Sequence, residues 1–156
     1  MTDVKIAFLG FLVFNSLIFN ILGIFTPNWT SNRTYLELGS GLRLTLASSF
    51  MLGTLALSSI TVVIFFYVYY QVKNNDYSSN LRKWFRIIDL ASILAIILTV
   101  AAIIIIATSN SDNLISTPQG GPDPIALGYS AWLCFISVIL TVAIASISEY
   151  IASEEC

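Results

Sequence analysis

Residues 90–111 read LASILAIILTVAAIIIIATSNS and contain no charged side chain. Three further charge-free stretches occupy residues 6–32, 44–72 and 124–148, and every Lys, Arg, Asp and Glu lies between or outside the four. A bilayer core about 30 Å thick is crossed by roughly 20 apolar residues of helix. The pattern therefore predicts four membrane-spanning helices. The predicted spans are about 6–26, 46–72, 88–108 and 129–151.

The composition also indicates a membrane protein. Hydrophobic residues make up 56% of the chain and charged residues only 10%, whereas about a quarter of a soluble domain is charged. With 156 residues, the chain has little beyond four helices and their connections. We predict an all-α four-helix transmembrane bundle forming a single domain, residues 1–156, with outer loops at 27–45 and 109–128 and an inner loop at 73–87.

The basic residues predict the orientation. Four of the seven lie in the segment 73–87 and one near the N-terminus, while two lie in the segment 27–45. Because Lys and Arg are enriched in cytoplasmic loops, the segment 73–87 and both termini are predicted to be cytoplasmic. We expect a multi-pass protein of the plasma membrane or a cell junction.

Two glycosylation sequons lie in the predicted first outer loop. They begin at Asn28 and Asn32, and Asn32 is the better candidate because Asn28 is closer to the membrane. Two chance matches in a polar loop are the alternative interpretation.

The same loop contains a hairpin pattern. Alternating residues at 34–38 and 42–46 flank Gly39-Ser40-Gly41, which is typical of two strands joined by a short turn. The alternative is that residue 41 begins the second helix. The residues predicted to contact partner proteins are Trp29, Leu36, Glu37, Leu38, Leu42, Arg43 and Leu44.

Small and polar residues recur along the spans at helical spacing. In lipid, close approach of small side chains and hydrogen bonds between hydroxyls drive helix association. We predict packing faces that include Ser16, Asn20 and Gly23 in the first span, Ser49, Gly53 and Ala56 in the second, and Ala91, Ala95 and Ala102 in the third. The main helix-packing candidates are Asn15, Asn20, Gly53, Ser130, Cys134, Ser137, Thr141 and Ala145.

Asn15 and Asn20 are the strongest polar groups inside a span. Burying an amide in hydrocarbon without a hydrogen-bond partner costs a free energy on the order of several kcal/mol. Each asparagine is therefore expected to face the bundle or a partner helix. A polar conduction path is the alternative role.

Motifs of catalysis are scarce. The chain has no His and only two Cys, its carboxylates are scattered, and no glycine-rich phosphate loop is found. We therefore predict neither an enzyme nor a catalytic, metal or cofactor site. A net charge of −2 without an extended basic patch argues against nucleic acid as a partner. Cys156 is a candidate for reversible acylation, with a plain solvated terminus as the alternative.

Several of these features together resemble the superfamily of claudins, peripheral myelin protein and receptor auxiliary subunits. Trp29 follows the first span, Gly41-Leu42 precedes the second, and Gly128 to Leu133 is similar to the claudin entry into the fourth. In that family a second Trp and two loop cysteines follow the Gly-Leu pair. Here Arg43 replaces that Trp, and the loop has no cysteine.

The resemblance implies a non-enzymatic membrane protein that acts by lateral association or cell-cell contact, in a junction, in adhesion or in membrane organisation. Its partners would be lipids and other membrane proteins, including further copies of the chain. The alternative is an auxiliary subunit that controls the gating or trafficking of a channel or receptor. A small channel or transporter is a third, less favoured hypothesis.

Overall fold

The computed structural model describes residues 2–26, 42–75, 79–114 and 128–154. These residues form four α-helices in an all-α transmembrane bundle. The helices are α1 (Thr2–Phe25), α2 (Leu42–Asn75), α3 (Ser79–Leu114) and α4 (Tyr129–Glu154). Each is long and apolar enough to cross a membrane, over Val4–Phe25, Thr45–Asn74, Leu81–Thr108 and Tyr129–Glu154.

The helices are arranged in a ring. α1 packs on α4, α4 on α3 and α3 on α2, and α1 completes the ring through a less extensive contact with α2. Consecutive helices run antiparallel, as successive crossings of one membrane require. Large apolar side chains such as Phe11, Leu90 and Ile139 are exposed on the outside of the ring, where hydrocarbon is the solvent.

The start of α2 corrects part of the hairpin prediction. Residues 42–46, expected as the second strand, are helical, so the alternative interpretation holds for them. The first predicted strand, 34–38, lies outside the described residues. Leu42 to Leu46 alternates only because leucine is frequent, and leucine is also a good helix former.

The helices extend beyond the predicted spans. Most of the predicted inner loop, 73–87, is helical, because α2 continues to Asn75 and α3 starts at Ser79. Leu81, Phe85 and Ile88 recur at helical spacing and are fully or nearly buried. The charge-free stretch therefore predicts only the part of α3 that lies in lipid. The row of buried apolar residues continues into the charged segment and predicts the full length of the helix.

The end of α1 has a local cause. The backbone N–H of Thr26 donates to the carbonyl of Leu22 at 2.9 Å. Proline follows at position 27; it has no N–H to continue the helical pattern and disfavours helical backbone in the preceding residue.

The core consists of two apolar clusters separated along the bundle. The first contains Leu9, Phe65, Phe85 and Ile151 among its buried members. The second contains Ile24, Met51, Ile106 and Cys134. Every helix carries buried hydroxyl or amide side chains between the two clusters, which places a polar layer inside the bundle.

Candidate functional site

The polar layer between the two apolar clusters receives side chains from all four helices. We call it the hydroxyl layer. Its members are Ser16, Asn20, Thr54, Ser58, Thr61, Ser92, Thr99, Ser137 and Thr141. A buried hydroxyl or amide in hydrocarbon is costly unless it is hydrogen-bonded, so the partners of these groups determine what the layer can do.

Three hydroxyls join α1 to α4. Ser137 Oγ donates to the carbonyl of Ser16 at 3.0 Å, and Thr141 Oγ1 donates to the carbonyl of Ser137 at 2.7 Å. Since the Thr141 proton is used in that bond, Ser16 Oγ is the donor to Thr141 Oγ1 at 2.9 Å. The hydroxyl protons of Ser16, Ser137 and Thr141 are thus each used inside the bundle.

A second set of bonds joins α2 to its neighbours. Thr99 Oγ1 of α3 shares its one proton between the Ala95 carbonyl at 2.9 Å and Thr54 Oγ1 of α2 at 3.3 Å. Ser58 Oγ donates to the carbonyl of Thr54 at 2.9 Å, so it accepts from Asn20 Nδ2 of α1 at 3.2 Å. This bond fixes the orientation of the Asn20 amide. Its Oδ1 is buried and has no hydrogen-bond partner among the described residues.

A small cavity lies at the centre of the hydroxyl layer. Its volume is about 10 Å³, and its lining includes Ser16, Ser58, Ser92 and Thr141, one residue from each helix. That volume is about the minimum that one water molecule requires. The cavity is too small for a hydrated ion, so the layer acts chemically as a hydrogen-bonded clamp between helices.

The backbones of α1 and α4 approach closely at Gly23. A Cβ placed on Gly23 would overlap Cys134 Sγ and would lie 3.1 Å from the Cys134 nitrogen and 3.2 Å from the Ser130 carbonyl oxygen. One turn away from Cys134, Ser130 Oγ donates to the carbonyl of Thr26 at 2.9 Å. The contact of Gly23 with Cys134 and the hydrogen bond from Ser130 to Thr26 hold the end of α1 close to the start of α4.

The remaining predicted packing residues, Asn15, Gly53 and Ala145, differ in burial and in contacts. Asn15 is partly exposed, and its Nδ2 donates to the carbonyl of Phe11 on its own helix at 2.7 Å, so it bridges no helices through this bond. Gly53 lies beside Leu98, whose Cδ1 would be 3.5 Å from an added Cβ, an ordinary contact. Ala145 is partly buried on α4.

The predicted packing face of α2 lies only partly inside the bundle, where Gly53 is beside Leu98. Ser49 and Ala56 are exposed on the outside of the bundle. The side of α2 that packs inside carries Ala47, Met51 and Thr54 instead. Residue size alone does not select the inner side of α2, since Ala47 is buried and Ala56 is exposed.

Other sequence candidates lie outside the described residues or side chains. Asn28, Asn32, Trp29, Leu36, Glu37, Leu38 and Cys156 belong to undescribed segments, and Leu42, Arg43 and Leu44 are described only in their helical backbone. Within the described residues, no cluster of His, Cys, Asp or Glu could hold a metal ion.

Thr54, Ser58, Thr61, Ser92 and Thr99 are members of the hydroxyl layer that sequence reasoning missed. A signal for them was available. On α2, Thr54, Ser58 and Thr61 recur at spacings of four and three, which places them on one face of the helix.

Comparison with known proteins fits this architecture of four apolar helices. Residues 1–156 match the sequence model of a family described as "Tight junction protein, Claudin-like". The chain belongs to the claudin-like family. No curated protein and no solved structure gives a significant match to it.

The family match spans residues 1–156 and so includes every residue of the hydroxyl layer. Claudin-like proteins are generally non-enzymatic and associate with lipids and membrane proteins. The layer is therefore best understood as the element that holds the four spans together and presents their outer surfaces and loops.

Proposed function

We propose that this claudin-like protein is a non-enzymatic membrane protein that acts by lateral association or by contact between cells. The observation that carries the proposal is the hydroxyl layer: its hydrogen bonds link the helices of the bundle to one another, and its cavity of about 10 Å³ has room for about one water molecule. Function is thus assigned to the outward surfaces of the spans and to the loops. The protein would lie in the plasma membrane or at a cell junction, with both termini cytoplasmic.

The exposed side of α2 supports lateral association. Ser49, Ala56 and Ser59 lie there, and we call these three residues the small-residue face of α2. Ser49 Oγ donates to the carbonyl of Thr45 at 2.9 Å and Ser59 Oγ to that of Leu55 at 2.9 Å. Both hydroxyls are hydrogen-bonded without a partner protein. Small side chains whose polar groups are already paired allow a second helix to approach closely in lipid.

Contact between cells would use the predicted outer loops. The segment 27–45 contains the candidate contact residues Trp29, Leu36 and Leu38 and two candidate glycosylation sites. The alternation of Leu36 and Leu38 predicts an apolar surface that a loop on an opposing cell can cover. A second copy of this claudin-like protein is the simplest partner for such a surface.

Expression in non-adherent cells tests the contact role. Cells that carry a fluorescently tagged wild type should concentrate it where two expressing cells touch. Leu36→Asp combined with Leu38→Asp should abolish that enrichment, because two charges replace the apolar surface. Thr117→Asp with Gln119→Asp adds the same charges to the predicted second outer loop and serves as the control. An even surface distribution of the wild type would overturn the contact role.

An auxiliary-subunit role is the second candidate, and the small-residue face of α2 favours it as well. Purification of the full chain in mild detergent should then recover a larger membrane protein in a fixed ratio. Ala56→Leu should break that association without altering surface expression. A homo-oligomer free of other proteins would support lateral self-association and exclude the auxiliary role in that cell type.

A further inference from the structure

The contact between α1 and α2 is close at one point and opens beside it. A Cβ placed on Gly10 would lie 2.5 Å from Phe65 Cζ and 2.9 Å from Phe65 Cε1, so the two helices touch at this pair. Towards the start of α1 and the end of α2 lies a cleft of about 320 Å³. Its lining is Ile6, Ala7, Tyr69, Val72 and Lys73. Gly10 and Phe65 each lie about one helical turn away from this lining.

The cleft differs from the cavity of the hydroxyl layer in size and in chemistry. Its volume of about 320 Å³ corresponds to roughly ten water molecules. Ile6, Ala7 and Val72 give it an apolar interior, while the Lys73 ammonium and the Tyr69 hydroxyl supply polar groups. An apolar slot with a cation beside it matches the two parts of an anionic lipid, whose acyl chain is apolar and whose phosphate is negative.

Among the described side chains, the nearby charges point to Lys73 as the group that would bind the phosphate. Lys5 is adjacent to Ile6 in the sequence, but its Nζ lies over the ring of Tyr150 on α4, 5.1 Å from the centroid. Lys73 is exposed at the end of the candidate span Thr45–Asn74. A lysine at this position lies at the level of the lipid headgroups.

We propose that this cleft binds an anionic phospholipid, with one acyl chain between Ile6 and Val72 and the phosphate on the Lys73 ammonium. The lining comes from about one helical turn of each helix, which suits a single chain better than a partner helix. A zwitterionic lipid would bring its own cation close to Lys73 and gain less. The predicted cytoplasmic side of Lys73 is also where anionic lipids are concentrated.

Native mass spectrometry of the full-length protein tests the proposal. The protein is reconstituted in bilayer discs with equal amounts of phosphatidylglycerol and phosphatidylcholine, then transferred to mild detergent, and the retained lipids are counted. Wild type should retain phosphatidylglycerol over phosphatidylcholine by about fivefold, the preference expected from one basic residue. Lys73→Ala should reduce the ratio to about one. Equal ratios for wild type and Lys73→Ala would overturn the proposal.

Three further variants separate the cleft from general surface charge. Lys83→Ala removes an exposed lysine from α3, which does not line the cleft, and should leave the ratio unchanged. An equal loss in Lys83→Ala and Lys73→Ala would show unspecific attraction and would overturn the proposal. Lys73→Arg should keep the preference.

Ala7→Phe fills the apolar interior and should reduce retention of both lipids. Retention that does not change in a folded Ala7→Phe protein, as judged by circular dichroism, would place the lipid elsewhere.

Discussion

Gly23 of α1 lies against Cys134 of α4 with no room for a side chain between them. An added Cβ would lie 3.1 Å from the Cys134 backbone nitrogen and 3.2 Å from the Ser130 carbonyl oxygen. Backbone atoms cannot turn away as a flexible side chain can, so relief would require α1 and α4 to separate. Small residues therefore determine the distance between these helices, as in other bundles that pack in lipid.

Gly23→Ala should destabilise the bundle by about 1–3 kcal/mol, the usual cost of overpacking. The free energy of unfolding in mixed micelles, followed by circular dichroism, measures it. Gly53→Ala is the matched control, because its added Cβ would meet only Leu98 Cδ1 at 3.5 Å. The control should be neutral or more stable by up to ~1 kcal/mol, since alanine favours helix over glycine. Equal losses in both variants would contradict the close contact at Gly23.

Ser137→Ala should cost about 0.5–2 kcal/mol of stability, the range of hydrogen bonds between helices in membranes. Its hydroxyl links α4 to the Ser16 carbonyl at 3.0 Å. Ser146→Ala removes an exposed hydroxyl whose bond lies within α4, to the Val142 carbonyl at 3.0 Å, and should change stability little. The same unfolding measurement applies. Loss of stability in Ser146→Ala as large as in Ser137→Ala would contradict a specific role for the hydroxyl layer.

The four helices could be predicted from the sequence because lipid imposes one simple rule, the absence of charge over a span. The helix ends could not, because that rule says nothing about helix outside the bilayer. At the start of α3, the buried residues Leu81, Phe85 and Ile88 stabilise a helix in a segment that also contains three basic residues. At residues 42–46 leucine spacing alone could not distinguish a strand from the first turns of α2.

The site was predictable on α4 and less so on α2. Over residues 130–141 the small residues are Ser130, Ala131, Cys134, Ser137 and Thr141, so the pattern there selects one side of the helix. On α2, small and hydroxyl residues occur on both sides, at Ser49 and Ala56 as well as at Thr54 and Ser58. Which side packs inside depends on neighbours in space, and a single helix pattern does not contain that information.

Asn20→Leu should raise the free energy of unfolding by about 1 kcal/mol. Its Oδ1 is buried and has no partner among the described residues, and such a group carries a cost of ~1–3 kcal/mol that leucine removes. The lost bond from Nδ2 to Ser58 at 3.2 Å offsets part of the gain. Asn15→Leu, at a partly exposed position, should change stability little. A loss of stability in Asn20→Leu would show that Oδ1 has a partner, in water or in another protein.

Ala56→Leu should weaken lateral association while leaving the bundle itself intact. Ala56 lies on the small-residue face of α2, outside the bundle, so leucine there meets no internal neighbour but prevents close approach of a second helix. Resonance energy transfer between labelled copies in vesicles should report an association weaker by about tenfold, equivalent to ~1.4 kcal/mol. Ser146→Leu enlarges an exposed small residue on α4 and should leave the transfer unchanged. If both variants associate like wild type, the small-residue face of α2 is a lipid-facing surface and self-association must use another side of the bundle or the outer loops.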